Sequence, residues 1–260
     1  MNFYWEKHSN FGDLLNYHLI KHIIKQEPTW IPKDTGVDKF FVVGSILVYA
    51  DEFTHVWGSG LISDYERSLP KNKPKRIYSV RGPMTRARLI DKINVNVPEI
   101  YGDPSMLMPY FYKPKSIKKY KYGIIPHYID MNNQWIQKHR DAGCRIIDMR
   151  CTVNDIYRII DEINECEFII SSSLHGMIIP DAYGIKSMWI DFTNDKGTSE
   201  VFGAGFKFKD YFMSVNRPVT DPYVITNDSN VKIDDIISTF KDYEIKIDLD
   251  KLYESCPFKK

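Results

Sequence analysis

Most of the features that would assign this chain quickly are missing from it. It has four cysteines, Cys144, Cys151, Cys166 and Cys256, with no CxxC spacing and no paired histidine. That argues against a zinc site, and a disulfide framework is not expected in a chain of 260 residues. Reduced thiols in a cytoplasmic protein are the expectation. No apolar run approaches the roughly 20 residues needed to span a bilayer. The opening Met1-Asn2-Phe3-Tyr4-Trp5-Glu6-Lys7 lacks the basic-then-apolar order of a signal peptide. Charge of one sign is lacking too: 35 Lys and Arg stand against 34 Asp and Glu, a net +1. Without a basic surplus, a nucleic-acid partner is not expected. There is no Walker loop, GxGxxG fingerprint or GxSxG elbow. His18 and His22 share a helix face, but the intervening Glu of a metalloprotease motif is absent, and no metal site is expected.

What is present is one repeated pattern: a short apolar run, a turn rich in Gly, Ser, Asp or Arg, then a helical stretch. Phe3-Tyr4-Trp5 leads into Ser9-Asn10-Phe11-Gly12-Asp13 and a helix with Leu15, Leu19 and Ile23 on one face. Phe40 to Val43 leads into Gly44-Ser45, His55 to Trp57 into Gly58-Ser59-Gly60, and Arg76 to Val80 into Arg81-Gly82-Pro83. Pro83 suits a first helical position. Ile100-Tyr101 reads as a further strand before Gly102-Asp103-Pro104. The basic, aperiodic stretch from Phe111 to Lys121 is a candidate linker, after which the pattern restarts. Strands are expected at Tyr122 to Ile125, Arg145 to Ile147, Phe168 to Ile170 and Ser187 to Ile190. Thr152 to Glu165 is an amphipathic helix, and Val231 to Tyr243 is expected to be helical as well. Alternating strands and helices imply parallel sheets covered on both faces. The chain therefore reads as two α/β halves, residues 1–115 and 116–225, with a tail, 226–260, that can pack across both.

In such sheets ligands bind beyond the carboxyl ends of the strands, where these turns lie. Asp13, Asn16, Ser45, Ser59, Arg81, Asp103, His127 and His175 would share one cleft if the sheets face each other. The sharpest local signal is Ser171-Ser172-Ser173-Leu174-His175-Gly176. Ser173 at an N-cap would put His175 in a first helical turn, where exposed N–H groups favour an anion and imidazole can move a proton. Pro180 predicts a short or bent helix there. Arg81 directly follows a strand, so it is expected at the rim with its fork free for a carboxylate or phosphate. His127, also just after a strand, is the third candidate. Each of these residues, taken singly, also has a structural reading in a strand-to-helix turn.

Together these stretches resemble the polysaccharide pyruvyl transferase family. The resemblance runs through Asn10-Phe11-Gly12-Asp13-Leu14-Leu15-Asn16, Val43-Gly44-Ser45-Ile46, Val56-Trp57-Gly58-Ser59-Gly60 and Val80-Arg81-Gly82-Pro83. It continues through Tyr101-Gly102-Asp103-Pro104, Ile124-Ile125-Pro126-His127-Tyr128, Ile170 to Gly176, Asp181 to Ile185 and Phe206 to Tyr211, spanning roughly residues 10 to 212. It implies two Rossmann-like domains facing across a cleft in a GT-B-like α/β fold. It also implies an enzyme that moves the enolpyruvyl unit of phosphoenolpyruvate onto two hydroxyls of a sugar and releases phosphate. Phosphoenolpyruvate is then a cosubstrate, with no further cofactor. The acceptor is a sugar of a surface glycan such as an exopolysaccharide or capsule, or its lipid-linked precursor, met in the cytoplasm or at the inner face of the membrane. His175 is expected to carry one proton transfer with His127 or Asp13 assisting. Gly12, Asn16, Ser45, Ser59, Ser171, Ser172, Ser173, Leu174 and Gly176 are expected to line the substrate site. The family commonly has arginine where this chain has Ser173, which shifts the neutralisation of the donor to Arg81. A GT-B glycosyltransferase using a nucleotide-sugar, and a non-catalytic carbohydrate-binding component of a glycan pathway, are the competing readings.

Overall fold

A computed structural model of the chain describes residues 1–140, 143–193, 199, 201–226 and 230–260. Its first sheet has five parallel strands, β1 (Asn2–Tyr4), β2 (Thr29–Trp30), β3 (Lys39–Phe41), β4 (Thr54–Trp57) and β5 (Arg76–Ser79), in the order β2-β1-β3-β4-β5. The second also has five, β6 (Tyr120–Ile125), β7 (Arg145–Ile146), β8 (Cys166–Ser171), β9 (Lys186–Thr193) and β10 (Tyr223–Thr226), ordered β10-β9-β8-β6-β7. Counted from its own first strand, the second sheet repeats the 2-1-3-4-5 order of the first. The chain is thus α/β with two parallel sheets, repeated in architecture and not in residue identities. Each sheet reverses its winding beside its first strand, between β1 and β3 and between β6 and β8, and such switch points open ligand crevices.

Nine α-helices are present among the described residues: α1 (Phe11–Ile24), α2 (Pro83–Arg88), α3 (Met108–Phe111), α4 (Gln134–Arg140), α5 (Ile156–Asn164), α6 (His175–Ala182), α7 (Phe206–Ser214), α8 (Ile233–Ser238) and α9 (Leu249–Glu254). Helix α1 starts where the Asn10 side chain accepts from the Gly12 N–H, supplying one of the bonds a helix start lacks. It buries Leu15, Leu19 and Ile23, the face foreseen from spacing, and also Leu14, Ile20 and Ile24. The wider apolar surface reflects its place against both halves: it packs on α5, where His18 Nε2 lies 2.7 Å from the Val153 carbonyl oxygen. Helix α5 follows a capping box in which Thr152 N–H donates to Asp155 at 2.8 Å, and it buries Ile156, Ile159, Ile160 and Ile163. Each such side chain contributes roughly 1.5–3 kcal/mol of burial free energy. The carboxyl-terminal parts of β6 and β8 and the middle of β9 are apolar, with Ile124, Ile125, Ile169, Ile170 and Ile190 all fully buried, as a sheet covered on both faces requires.

Some expected elements change. Ile100-Tyr101 is not a strand, because Tyr101 pairs with Val80 only as an isolated bridge. The tail helix is confined to Ile233–Ser238. Beyond it the chain turns so that the Tyr243 hydroxyl reaches Asp181 at 2.7 Å. The tail meets both sheets: Ile233 and Ile236 pack with Ile190 of the second. The last residues return to the first, where Phe258 sets its ring edge-on to Phe3 at 5.0 Å. The Trp57 indole donates to the Leu252 carbonyl at 3.1 Å. No helix among the described residues is long and apolar enough to cross a membrane.

Candidate active site

The carboxyl ends of both sheets open on one cleft of about 510 Å³. The first half contributes Glu6 after β1, Gly12 and Asp13 at the start of α1, and Gly44 and Ser45 after β3. The second half contributes His127 and Tyr128 after β6, Ser173, Leu174 and His175 after β8, and Lys207 at the start of α7. The two switch points therefore face each other.

The contact between the walls is made by Gly12 and His175. A Cβ placed on Gly12 would overlap the His175 ring at Nδ1 and Cε1, so this position admits no side chain while the imidazole sits there. His175 is the first residue of α6, and its side chain is 12% exposed. Its Nε2 is buried with no hydrogen-bond partner and lies 3.9 Å from Asp103 Oδ2. Burial lowers its pKa, Asp103 opposes that, and Lys207 and Arg81 add to it. These surroundings favour the neutral form of the ring.

The serine turn before it is organised differently from the sequence expectation. Helix α6 opens at His175 with Leu174, not Ser173, in the capping position, and no side chain caps it. Ser171 builds the turn instead: its Oγ donates to the Ile125 carbonyl at 2.8 Å and accepts from the Ser173 N–H at 2.9 Å. Ser172 Oγ donates to Asp130 at 2.6 Å and accepts from the His127 N–H at 2.8 Å, fixing the end of β6. Of the turn, Ser173, Leu174 and His175 line the cleft. Ser171, Ser172 and Gly176 lie behind its wall, and Gly176 packs on Ile125 and Ser171. Helix α6 has eight residues with Pro180 inside, as short as expected.

Three first-half candidates are also spent internally. Asn16 is fully buried, donating to the Val43 carbonyl at 3.0 Å and accepting from the Val43 N–H at 2.9 Å, which pins α1 to the β3 turn. Ser59 Oγ donates to the Val42 carbonyl at 2.9 Å. Arg81 is not at the rim. It is fully buried, with Nε donating to Asp210 at 3.2 Å, one terminal nitrogen donating to Ser45 Oγ at 2.7 Å and the other to the Leu61 carbonyl. Asp210 also accepts from the Thr85 N–H at 2.9 Å and the Thr85 hydroxyl at 2.7 Å. A buried arginine must satisfy its fork, and a carboxylate from the other half does so more completely than water at a rim. Removing one partner of such a pair costs about 3–5 kcal/mol.

That pair has a consequence for the cleft. Asp210 lies on α7 three residues after Lys207, and residues so spaced share a helix face. Gly82 lets α7 approach, because a Cβ there would overlap the Asp210 carbonyl. The Trp189 and Phe208 rings stack at 4.4 Å and hold the other side of the helix. Lys207 is thereby aimed into the cleft with no ion-pair partner among the described residues. Burial and the Arg81 charge bring its pKa down to about 8, against the pull of Asp13, Asp130 and Asp191. Sequence reasoning had Lys207 within Phe206-Lys207-Phe208 but gave it no role. Its partner-free ammonium was not visible there. Opposite it, burial and neighbouring Glu6 push the Asp13 carboxyl up to about 7. Burial and Lys207 bring His127 down to about 3, and its Nδ1 has no partner. No cluster of His, Cys, Asp or Glu suited to a metal ion occurs among the described residues.

A family model for polysaccharide pyruvyl transferases matches residues 10–194, a span that runs from the cap of α1 to the end of β9. The chain belongs to the polysaccharide pyruvyl transferase family. It is 27% identical over 253 residues to an uncharacterized protein of Acanthamoeba polyphaga mimivirus, covering 89% of this chain and 80% of that one. It is also 29% identical over 187 residues to succinoglycan biosynthesis protein ExoV of Rhizobium meliloti, covering 70% of this chain and 57% of ExoV. No solved structure matches it. A pyruvyl transferase needs an anion site, a proton donor and a proton acceptor in one crevice. Lys207, Asp13 and His175 place an ammonium, a carboxyl and an imidazole along one crevice.

Proposed function

We propose that the chain transfers the enolpyruvyl unit of phosphoenolpyruvate to two hydroxyls of a glycan sugar, forming a pyruvate ketal and releasing phosphate. The observation that carries this reading is the joint placement in one cleft of the His175 imidazole, the Asp13 carboxyl, whose pKa burial raises to about 7, and the Lys207 ammonium, which has no ion-pair partner among the described residues. Lys207 takes the anionic donor in place of Arg81, since Ser173 carries no charge and Arg81 is engaged with Asp210. Protonated Asp13 gives its proton to C3 of the donor. C2 becomes electron-poor and bonds to the first sugar oxygen, whose proton passes to His175. Phosphate then leaves C2, taking the proton from His175, and the second oxygen bonds to C2 as its proton restores Asp13. Every proton is returned, so the net change is ketal plus phosphate. His127, too weak a base to charge near neutrality, hydrogen-bonds the sugar and does not titrate. The matching strand orders support two Rossmann-like domains, residues 1–115 and 116–225, in a GT-B-like arrangement around this cleft.

The test is phosphate release from phosphoenolpyruvate across a panel of sugars, free and lipid-linked, with the product linkage read by NMR. Wild-type turnover and a loss of about 10²–10⁴-fold in a folded His175→Ala variant are expected. Stabilisation and turnover by a nucleotide-sugar, or sugar binding without phosphate release, would replace this reading with a glycosyltransferase or a binding component.

A further inference from the structure

Asp103 has no place in the chemistry above, yet its carboxylate is 1% exposed and sits beside the central imidazole. The residue ends the turn after the Val80–Tyr101 bridge and caps the turn that begins at Pro104. One oxygen, Oδ1, is committed there, accepting from the Ser105 N–H at 2.9 Å and the Ser105 hydroxyl at 2.6 Å. The other, Oδ2, points to His175 Nε2 at 3.9 Å. That nitrogen is shut away from solvent and has no other partner. The opposite edge of the ring, with Nδ1, lies against Gly12 on the cleft wall. The two ring nitrogens thus have separate surroundings, Nε2 beside an immobilised carboxylate and Nδ1 against Gly12 at the wall of the cleft.

Resting on the pyruvyl-transfer reading for its chemical step, we propose that Asp103 is a positioning residue. It holds His175 in the tautomer protonated at Nε2 and leaves the Nδ1 lone pair for the reacting hydroxyl. With Nε2 shut in beside the Asp103 carboxylate, an N–H at that position meets an acceptor, whereas a lone pair there would face a carboxylate oxygen with no donor between them. As the acceptor oxygen bonds to C2 of the donor, its proton moves to Nδ1 and the Nε2–H proton stays where it is. The Nε2–Oδ2 separation closes to hydrogen-bond length, about 2.6–3.2 Å, as it does in many sites only when charge develops. The imidazolium then returns the Nδ1 proton to the departing phosphate. Of the charged groups acting on the ring, Asp103 is the one favouring its charged form, against Lys207 and Arg81.

Nitrogen-15 NMR of the imidazole, on the 260-residue chain without substrate, tests the tautomer directly. The wild type is expected to carry its proton on Nε2. In Asp103→Asn the amide oxygen can still accept from Ser105 while its NH2 faces Nε2, so the proton is expected to move to Nδ1. Phosphate release in that variant should fall about 10²–10⁴-fold in kcat with KM for phosphoenolpyruvate unchanged. A wild-type ring protonated at Nδ1 overturns the proposal, and so does an Asp103→Asn variant with wild-type kcat. The spectroscopic result needs neither donor nor acceptor. Failure of phosphoenolpyruvate to react would therefore sink the functional reading and leave the tautomer assignment to be decided by itself.

Discussion

The two walls of the cleft are built on sheets of the same strand order, yet they carry opposite chemistry. The first-half wall offers carboxyls, Glu6 and Asp13, together with backbone at Gly12 and Gly44. The second-half wall is richer in basic nitrogen, with His127, Arg150, His175 and Lys207, whereas the first half contributes His8, beside Glu6. Each wall shifts the other's ionisation: Lys207 pulls Asp13 down while Asp13 pulls Lys207 up, and burial moves both toward neutrality. Equivalent positions in a repeated architecture thus specify where a site forms, and the side chains placed there specify what it does. In the proposed reaction the group that gives a proton and the group that takes one sit on opposite walls, a separation that a single sheet edge would not guarantee.

The comparison is broken most severely at the point where the walls touch. Gly12→Ala puts a methyl group into the His175 ring, and the imidazole must leave its seat. Phosphate release is expected to fall on the order of 10²-fold, since small misplacements of a reacting group have that effect. Overpacking should cost about 1–3 kcal/mol in urea denaturation. Wild-type kinetics in this variant would mean that the walls separate in the working enzyme. A smaller effect is expected at the cation. Lys207→Met keeps the packing and removes the charge, so KM for phosphoenolpyruvate should rise about 10–150-fold, the equivalent of a charge-assisted hydrogen bond of about 1.5–3 kcal/mol. Unchanged KM would return the anion to another residue.

A third test, on stability and not on turnover, sharpens the contrast through pH. The folded Asp13 carboxyl keeps its proton up to about 7, whereas its ordinary value is 3.8. The native chain then binds more protons than the unfolded one between those limits, and stability falls as pH rises through them. His127 is the mirror case, about 3 in the folded chain against 6.5 ordinarily, so stability falls as pH drops from about 6.5 toward 3. Urea midpoints measured from pH 4 to 8 should lose their decline toward pH 7 in Asp13→Asn and their acid-side decline in His127→Gln. Parallel curves in wild type and variants would show that neither group is buried as described.

Much of this was legible from the chain alone. Leu15, Leu19 and Ile23 marked the buried face of α1 because helical spacing puts them side by side. Short apolar runs such as Phe168-Ile169-Ile170 marked strands covered on both faces. The turn ending in His175, together with Asp13 and His127, was found because strand-to-helix turns collect at one rim. Arg81, Asn16 and Ser59 were misplaced for one shared reason. Their polar groups are taken up by partners that local sequence does not name, and for Arg81 that partner is Asp210, 129 residues away. The short elements β2 and β10 were missed because strands of two and four residues leave little periodicity to detect.

The sequence by itself determined the family, the alternation that makes two parallel sheets, and the turns where chemistry can gather. These are properties of neighbouring residues, and spacing records them. Only the tertiary structure decided which polar groups in those turns are free. Arg81 and Lys207 are both cations close to the cleft, and the sequence favoured the first. Folding gives Arg81 a buried carboxylate and leaves Lys207 facing the cleft, because the free energy of an ionised group depends on what the other half of the chain places against it.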